Sequence, residues 1–162
     1  MELTADYHTH TPYSHGKNTV LENVSAAKSK GLKQIAITDH GFNHLIFGLK
    51  RKKLPDLRAE INEAERLTGI KVLMGMESKL ISLDGDTDMK REDLQYFDIY
   101  LCGIHEVLKY RRLSAMYNIM LKNYCAYKLG KKPAEKVVEC TTKAYVNAIK
   151  NNPIDILTHI NY

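Results

Sequence analysis

Short runs dominated by Ile, Val, Leu, Met and Tyr alternate along this chain with longer stretches whose apolar positions recur at helical spacing. After an opening run from Ala5 to His10, the β-rich runs are Gln34 to Thr38, Lys71 to Glu77, Asp98 to Ile104 and Ile154 to Thr158. Near-continuous apolar runs suit strands covered on both faces. Their alternation with helical patterns predicts repeated βα units around a parallel sheet.

The helices carry boundary signals of their own. Thr19 and Glu22 have the spacing of a capping box, and Gly31 follows the end of the first helix. Pro55 opens a second helix, in which Leu57, Ile61, Ala64 and Leu67 share a face before Gly69. A later helix runs from Pro133 with Val137, Val138, Thr141, Tyr145 and Ala148 on its packing face. Leu113 to Leu129 form a further helical pattern through Met116, Tyr117, Met120, Leu121 and Tyr124, a stripe that reads as core and ends at Gly130. Leu80 to Asp88 read as a turn or hairpin with Asp84 and Gly85 at the tip.

The 162 residues, 44% of them hydrophobic, suffice for one core and are read as a single domain, 1–162. No stretch approaches the roughly 18 to 20 apolar residues of a membrane span, and no basic region precedes an apolar run at the N-terminus, so a soluble cytoplasmic protein is expected. Cys102, Cys125 and Cys140 fit neither a disulfide framework nor a paired zinc site and are expected to be reduced core thiols. The net charge of +5 favours anionic partners. The basic run Lys50, Arg51, Lys52, Lys53 has no interleaved aromatic residues, so it reads as a solvated loop rather than a nucleic-acid patch.

Chemistry enters through the seven histidines and where they fall. His8 and His10 are two apart, so on a strand they point to one side. His40, His105 and His159 follow predicted strands, and Glu77 closes another. In a parallel barrel such strand ends gather on one face, where ligands distant in sequence become neighbours. Imidazole suits zinc, iron, nickel or copper, a carboxylate broadens the choice toward manganese, and no cysteine stands at a strand end to select a structural zinc, so a catalytic site is expected. Taken alone, His15 is balanced between a loop residue and a ligand; its closeness to His8 and His10 favours a ligand. His44 reads as an ordinary loop histidine. Asp39 is a candidate to orient an imidazole, and Asp6 would point with His8 and His10 on a regular strand; either equally suits a strand-end cap.

His8-Thr9-His10, Ser14-His15-Gly16, Ile37-Thr38-Asp39-His40-Gly41, Gly75-Met76-Glu77, Gly103-Ile104-His105 and Thr158-His159 together resemble the PHP family, the polymerase and histidinol phosphatase domain. The resemblance implies a distorted (βα)7 barrel, here truncated to about five βα units and incomplete at the C-terminus. It implies up to three divalent ions, zinc, manganese or iron. His8 and His10 would hold one, Glu77 would bridge it to a second completed by His105 and His159, and His15 and His40 would bind the third. Many members have aspartate at the position of His15. The family's last motif, an aspartate and a histidine two apart after a late strand, is expected beyond Tyr162, where this sequence stops.

The activity implied is metal-dependent hydrolysis of phosphate esters, on a small phosphomonoester such as histidinol phosphate or a related metabolite. A metal-activated water would serve as nucleophile, and Glu77 as the bridging ligand. No Ser/His/Asp or Cys/His arrangement and no GxxxxGK loop offers another route. The alternatives are an inactive metal-binding scaffold and, last, a polymerase-associated domain. The expected partners are a small phosphorylated substrate and a second copy of the chain against an open barrel side, with neither membrane nor nucleic acid.

Overall fold

The computed structural model describes residues 2–44, 46–105, 113, 117, 121–130, 132 and 135–160. Strands β1 (Ala5–Thr9), β2 (Gln34–His40), β3 (Lys71–Lys79), β4 (Ile99–Gly103) and β5 (Ile156–Thr158) form one sheet in sequential order. All four neighbouring pairs are parallel. The sheet curls into a half-barrel with its helices outside, the architecture expected of five consecutive βα units.

Helix α1 (Val20–Ser29) starts as its sequence requires: Thr19 and Glu22 close a reciprocal capping box. Helix α2 (Leu54–Thr68) has proline in its first turn and ends on Gly69, whose φ of 74° closes the helix at little steric cost. Its buried face is Leu54, Leu57, Ile61, Ala64 and Thr68. Leu67, expected on that face, is exposed, because the stripe drifts with the 3.6-residue period and Thr68 takes the inward position. Full burial of Leu57 and Ile61, worth roughly 1.5–3 kcal/mol each, holds α2 on the sheet.

Two apolar clusters flank the sheet. One joins α1 and α2 to Ile35, Ile37, Val72 and Met74. The other joins Met76, Tyr100 and Cys102 to Ala144, Tyr145 and Ala148 of the helix Glu135–Asn151. Alternation then turns the opposite residues of β2 and β3, including His40 and Glu77, toward the inside of the curl. There His40 and Glu77 are direct register partners.

Several expectations need correction. β2 runs on to His40 and β3 to Lys79, so His40 is the last residue of its strand rather than beyond it, and Glu77 lies within its strand rather than at the end. Val138 is exposed, while Val137, Ala144, Tyr145 and Ala148 pack inward. The stripe expected as core is not core where it is described: Tyr117, Leu121 and Tyr124 are exposed. Met116, Met120 and Pro133 lie outside the described residues. Only Cys102 is a buried thiol; Cys125 is exposed and Cys140 half-buried, and all three are free. Arg51 to Lys53 form a short 3-10 helix rather than a loop. Arg51 makes a two-pronged ion pair with buried Asp93, at 2.9 and 2.7 Å, and its guanidinium lies 4.0 Å from the Phe42 ring centroid.

The Leu80–Asp88 hairpin is present, with Leu80 bridged to Thr87 and Gly85 at φ 89°. Its tip is fastened by the Asn147, Asn151 and Asn152 side-chain amides, which donate to the carbonyls of Leu83, Asp84 and Gly85.

Candidate metal centre

Glu77 is completely buried, and five imidazoles close on its carboxylate. His8 Nε2, His105 Nε2 and His159 Nε2 lie 3.1, 3.0 and 3.0 Å from Oε1. His40 Nδ1 lies 3.0 Å and His10 Nε2 3.5 Å from Oε2. His15 stands one ring further out, 4.6 Å from His10 and 4.7 Å from His40 between centroids. The fold therefore brings together all seven residues singled out in the sequence.

Local chain geometry sets each side chain. β1 carries an irregularity between Asp6 and Thr9, and Asp6 accepts the His8 backbone N–H at 3.0 Å. Asp6 thus braces its own strand rather than pointing regularly with the two histidines. Buried Asp39 accepts from Thr11 N, Thr11 Oγ1 and Ser14 Oγ at 2.8, 2.6 and 2.5 Å. It fixes the loop that carries His15, and among the described residues it makes no hydrogen bond to an imidazole. Thr158 Oγ1 donates to Glu77 Oε1 at 3.2 Å, in space that a side chain at Gly103 would fill.

His159 follows Thr158 directly, so regular alternation would turn it to the opposite face. A left-handed φ of 53° brings it back to Glu77. The hydroxyl of Tyr145 holds this bend: it accepts from Ile104 N at 3.1 Å and approaches the carbonyl oxygens of Thr158 and His159 at 3.1 and 3.3 Å.

Burial pushes the Glu77 carboxyl upward, but contact with His105, His40 and His8 outweighs it and holds the group well below the usual carboxylate range. The Glu77 contact raises His8. Burial lowers His10 to about 3, aided by neighbouring His40, and also lowers His15 and His159. These rings are neutral at pH 7, the form that ligates metal.

Five buried atoms lack a hydrogen-bond partner among the described residues: His10 Nδ1, His40 Nδ1, Glu77 Oε2 and both ring nitrogens of His105. The 3.0 Å approaches of His40 and His105 to Glu77 lack the N–H···O alignment of a hydrogen bond. Orphaned buried polar atoms cost roughly 1–3 kcal/mol each, and a cation among converging lone pairs would satisfy several together. Three triads have donor atoms within 4.8 Å of one another: His8, Glu77 and His159; His40, Glu77 and His105; and His10, His15 and His40. Glu77 and His40 are each shared by two. Around His8 the fold gathers both His10 and His159, with ring centroids 5.2 and 5.5 Å away.

Lys79, two residues beyond Glu77 on the same face of β3, lies past the end of the strand that the apolar run predicts. It is fully buried, and burial lowers its pKa to about 8 against the pull of Asp88 and Glu77. His44, set aside as a loop residue, stacks on His40 with 4.9 Å between centroids.

A parallel βα half-barrel with an imidazole-rich candidate metal site at one end of its strands is the class these observations define. The chain belongs to the PHP domain family, which it matches over residues 6–161. A protein named probable phosphatase in Thermoanaerobacter sp. is 32% identical over 165 residues, covering 98% of this chain and 54% of the relative. One of the same description in Shewanella baltica is 28% identical, covering 98% and 52%. The chain thus spans about half the length of the curated relatives it matches. Among solved structures, the histidinol phosphate phosphatase of Lactococcus lactis, complexed with zinc, L-histidinol and phosphate, aligns over 99% of this chain and 59% of its own, with TM-score 0.62 and 20% identity. The putative histidinol phosphatase of Listeria monocytogenes aligns over 91% and 62%, with TM-score 0.62 and 16% identity.

Proposed function

We propose that this domain is a metal-dependent phosphoesterase acting on small phosphomonoesters, histidinol phosphate among them, with His8, His10, His15, His40, Glu77, His105 and His159 holding up to three divalent ions. The observation that carries this reading is the convergence of five imidazoles on one buried carboxylate, with partnerless lone pairs between them. The phosphatase names of the relatives and the zinc, histidinol and phosphate of the Lactococcus lactis structure support it.

The donor set fits zinc, iron or manganese, and zinc comes first because a structural relative is complexed with it. Such ions, when bound, polarise phosphoryl oxygens and activate water near neutral pH. The chain's own residues supply the rest. Glu77 places a negative charge between two triads, burial favours the neutral form of His10, His15 and His159, and Asp39 and Tyr145 fix the segments that present His15 and His159. No side-chain nucleophile is required.

The test is phosphate release from an aryl phosphate and from histidinol phosphate by protein stripped with chelator and reloaded with zinc or manganese. Metal-dependent release is expected, abolished by re-chelation. Stoichiometric metal with no release from any phosphomonoester would instead mark a metal-binding scaffold.

A further inference from the structure

The loop from Gly41 to Leu49 leaves β2 directly after His40 and returns to it, since Leu49 N donates to His40 O at 3.0 Å and His44 N to Gly41 O at 3.2 Å. The pinned loop holds the partly exposed His44 ring nearly parallel to His40, at 25°. His40 belongs to two of the three candidate metal triads, whereas His44 belongs to none among the described residues.

The reason lies at Nδ1. The backbone N–H groups of Phe47 and Ile46 both donate to His44 Nδ1, at 3.0 and 3.3 Å. An Nδ1 lone pair used this way places the proton of the neutral imidazole on Nε2, at the far end of the ring. Coordination through Nε2 would require that proton to move to Nδ1, where two N–H groups already point. His44 is therefore a fixed hydrogen-bond donor beside the metal centre. Lys79, fully buried on the inward face of β3, is among the charges that act on it. A fixed N–H donor stacked beside the candidate metal ligand His40 and partly open to solvent suits an oxyanion.

We propose that His44 Nε2–H binds a phosphoryl oxygen of the substrate, making His44 a phosphate-recognition residue rather than a metal ligand. This rests on the phosphoesterase reading for the identity of the oxyanion. The competing role is purely local, the ring serving only to cap its turn through Nδ1.

Two substitutions separate these roles. In His44→Asn the side-chain oxygen can occupy the Nδ1 position and keep the turn, but the distal donor is gone. In His44→Gln the amide N–H can occupy the Nε2 position, but the turn cap is lost. The experiment measures inorganic phosphate binding to zinc-loaded protein by calorimetry, metal content by elemental analysis, and KM and kcat on an aryl phosphate. Both variants are expected to keep wild-type metal content. His44→Asn should lose roughly 10-fold or more in phosphate affinity, as for a hydrogen bond to a charged group, and His44→Gln should stay within about 3-fold of wild type.

Unchanged affinity in His44→Asn, or a larger loss in His44→Gln than in His44→Asn, overturns the proposal in favour of turn capping. Loss of metal in both variants overturns it in favour of a ligand. His44-dependent phosphate binding without hydrolysis leaves the proposal standing and removes the phosphoesterase reading. Hydrolysis with phosphate binding independent of His44 does the reverse, and a metal-loaded wild type that binds no phosphate overturns the proposal.

Discussion

His159 Nε2 lies 3.0 Å from Glu77 Oε1 across 82 positions of sequence, and its backbone takes a left-handed φ of 53° to reach it. A non-glycine residue in that region costs of order 1–3 kcal/mol, which the surrounding contacts must offset. Glu77 is the hub those contacts share. Glu77→Gln replaces the negative charge with a neutral amide whose donor end faces imidazoles. It should reduce bound zinc to less than half of wild type by elemental analysis, while His44→Ala leaves zinc content unchanged. Equal effects from the two substitutions would contradict the sorting of these residues.

Acid should destabilise the metal-free protein through its buried imidazoles. Burial lowers His10 to about 3 and His44 to about 4, from an ordinary 6.5. Between the folded and unfolded values the unfolded chain binds more protons, so stability rises with pH from about 4 to 6.5. The lowered Glu77 carboxyl acts in the same direction below its ordinary 4.5, whereas the raised His8 adds stability at low pH that fades above 6.5. Urea midpoints of chelator-treated protein should therefore climb across pH 4 to 6.5. A flat or falling profile would show that these imidazoles are not held neutral by burial.

Tyr145→Phe removes one oxygen that joins the ends of β4 and β5. Without it, the buried Ile104 N–H loses its acceptor and the bend at His159 loses its tie. A loss of roughly 1–3 kcal/mol in unfolding free energy is expected, together with weaker zinc retention against a competing chelator. Loss of stability alone, with zinc retention intact, would show that the hydroxyl supports the core without positioning His159.

The sheet leaves β1 and β5 as its two edges, and a cavity of about 370 Å³ lined by Ala5, Tyr7, His8, Leu101, Ile156 and His159 lies between them. Unpaired parallel edges beside an apolar hollow favour strand addition or association. The 162-residue chain should therefore sediment as a concentration-dependent mixture rather than as a strict monomer. A single monomeric species at high concentration would show that the edges are adequately covered.

The sequence by itself determined the βα alternation, the helix caps and the identity of the seven clustered residues. These depend on local periodicity, on capping chemistry and on strands that run parallel, so that residues such as His10, His40, Glu77 and His105 arrive on one face. Strand limits were less legible: Lys79 was lost because a polar residue after an apolar run looks like the end of a strand, although the curl buries it. Tertiary structure alone decided that Glu77 is the hub, that His8 meets His159, and that Asp39 holds a loop. It also decided that Leu67 and Tyr117 face outward, since a helix's apolar face is chosen by what lies beneath it. The histidine sorting shows the limit most directly. His44 and His40 are four residues apart and chemically identical, yet only the fold brings a pair of backbone N–H groups onto one ring nitrogen of His44 and sets His40 in two of the three candidate triads.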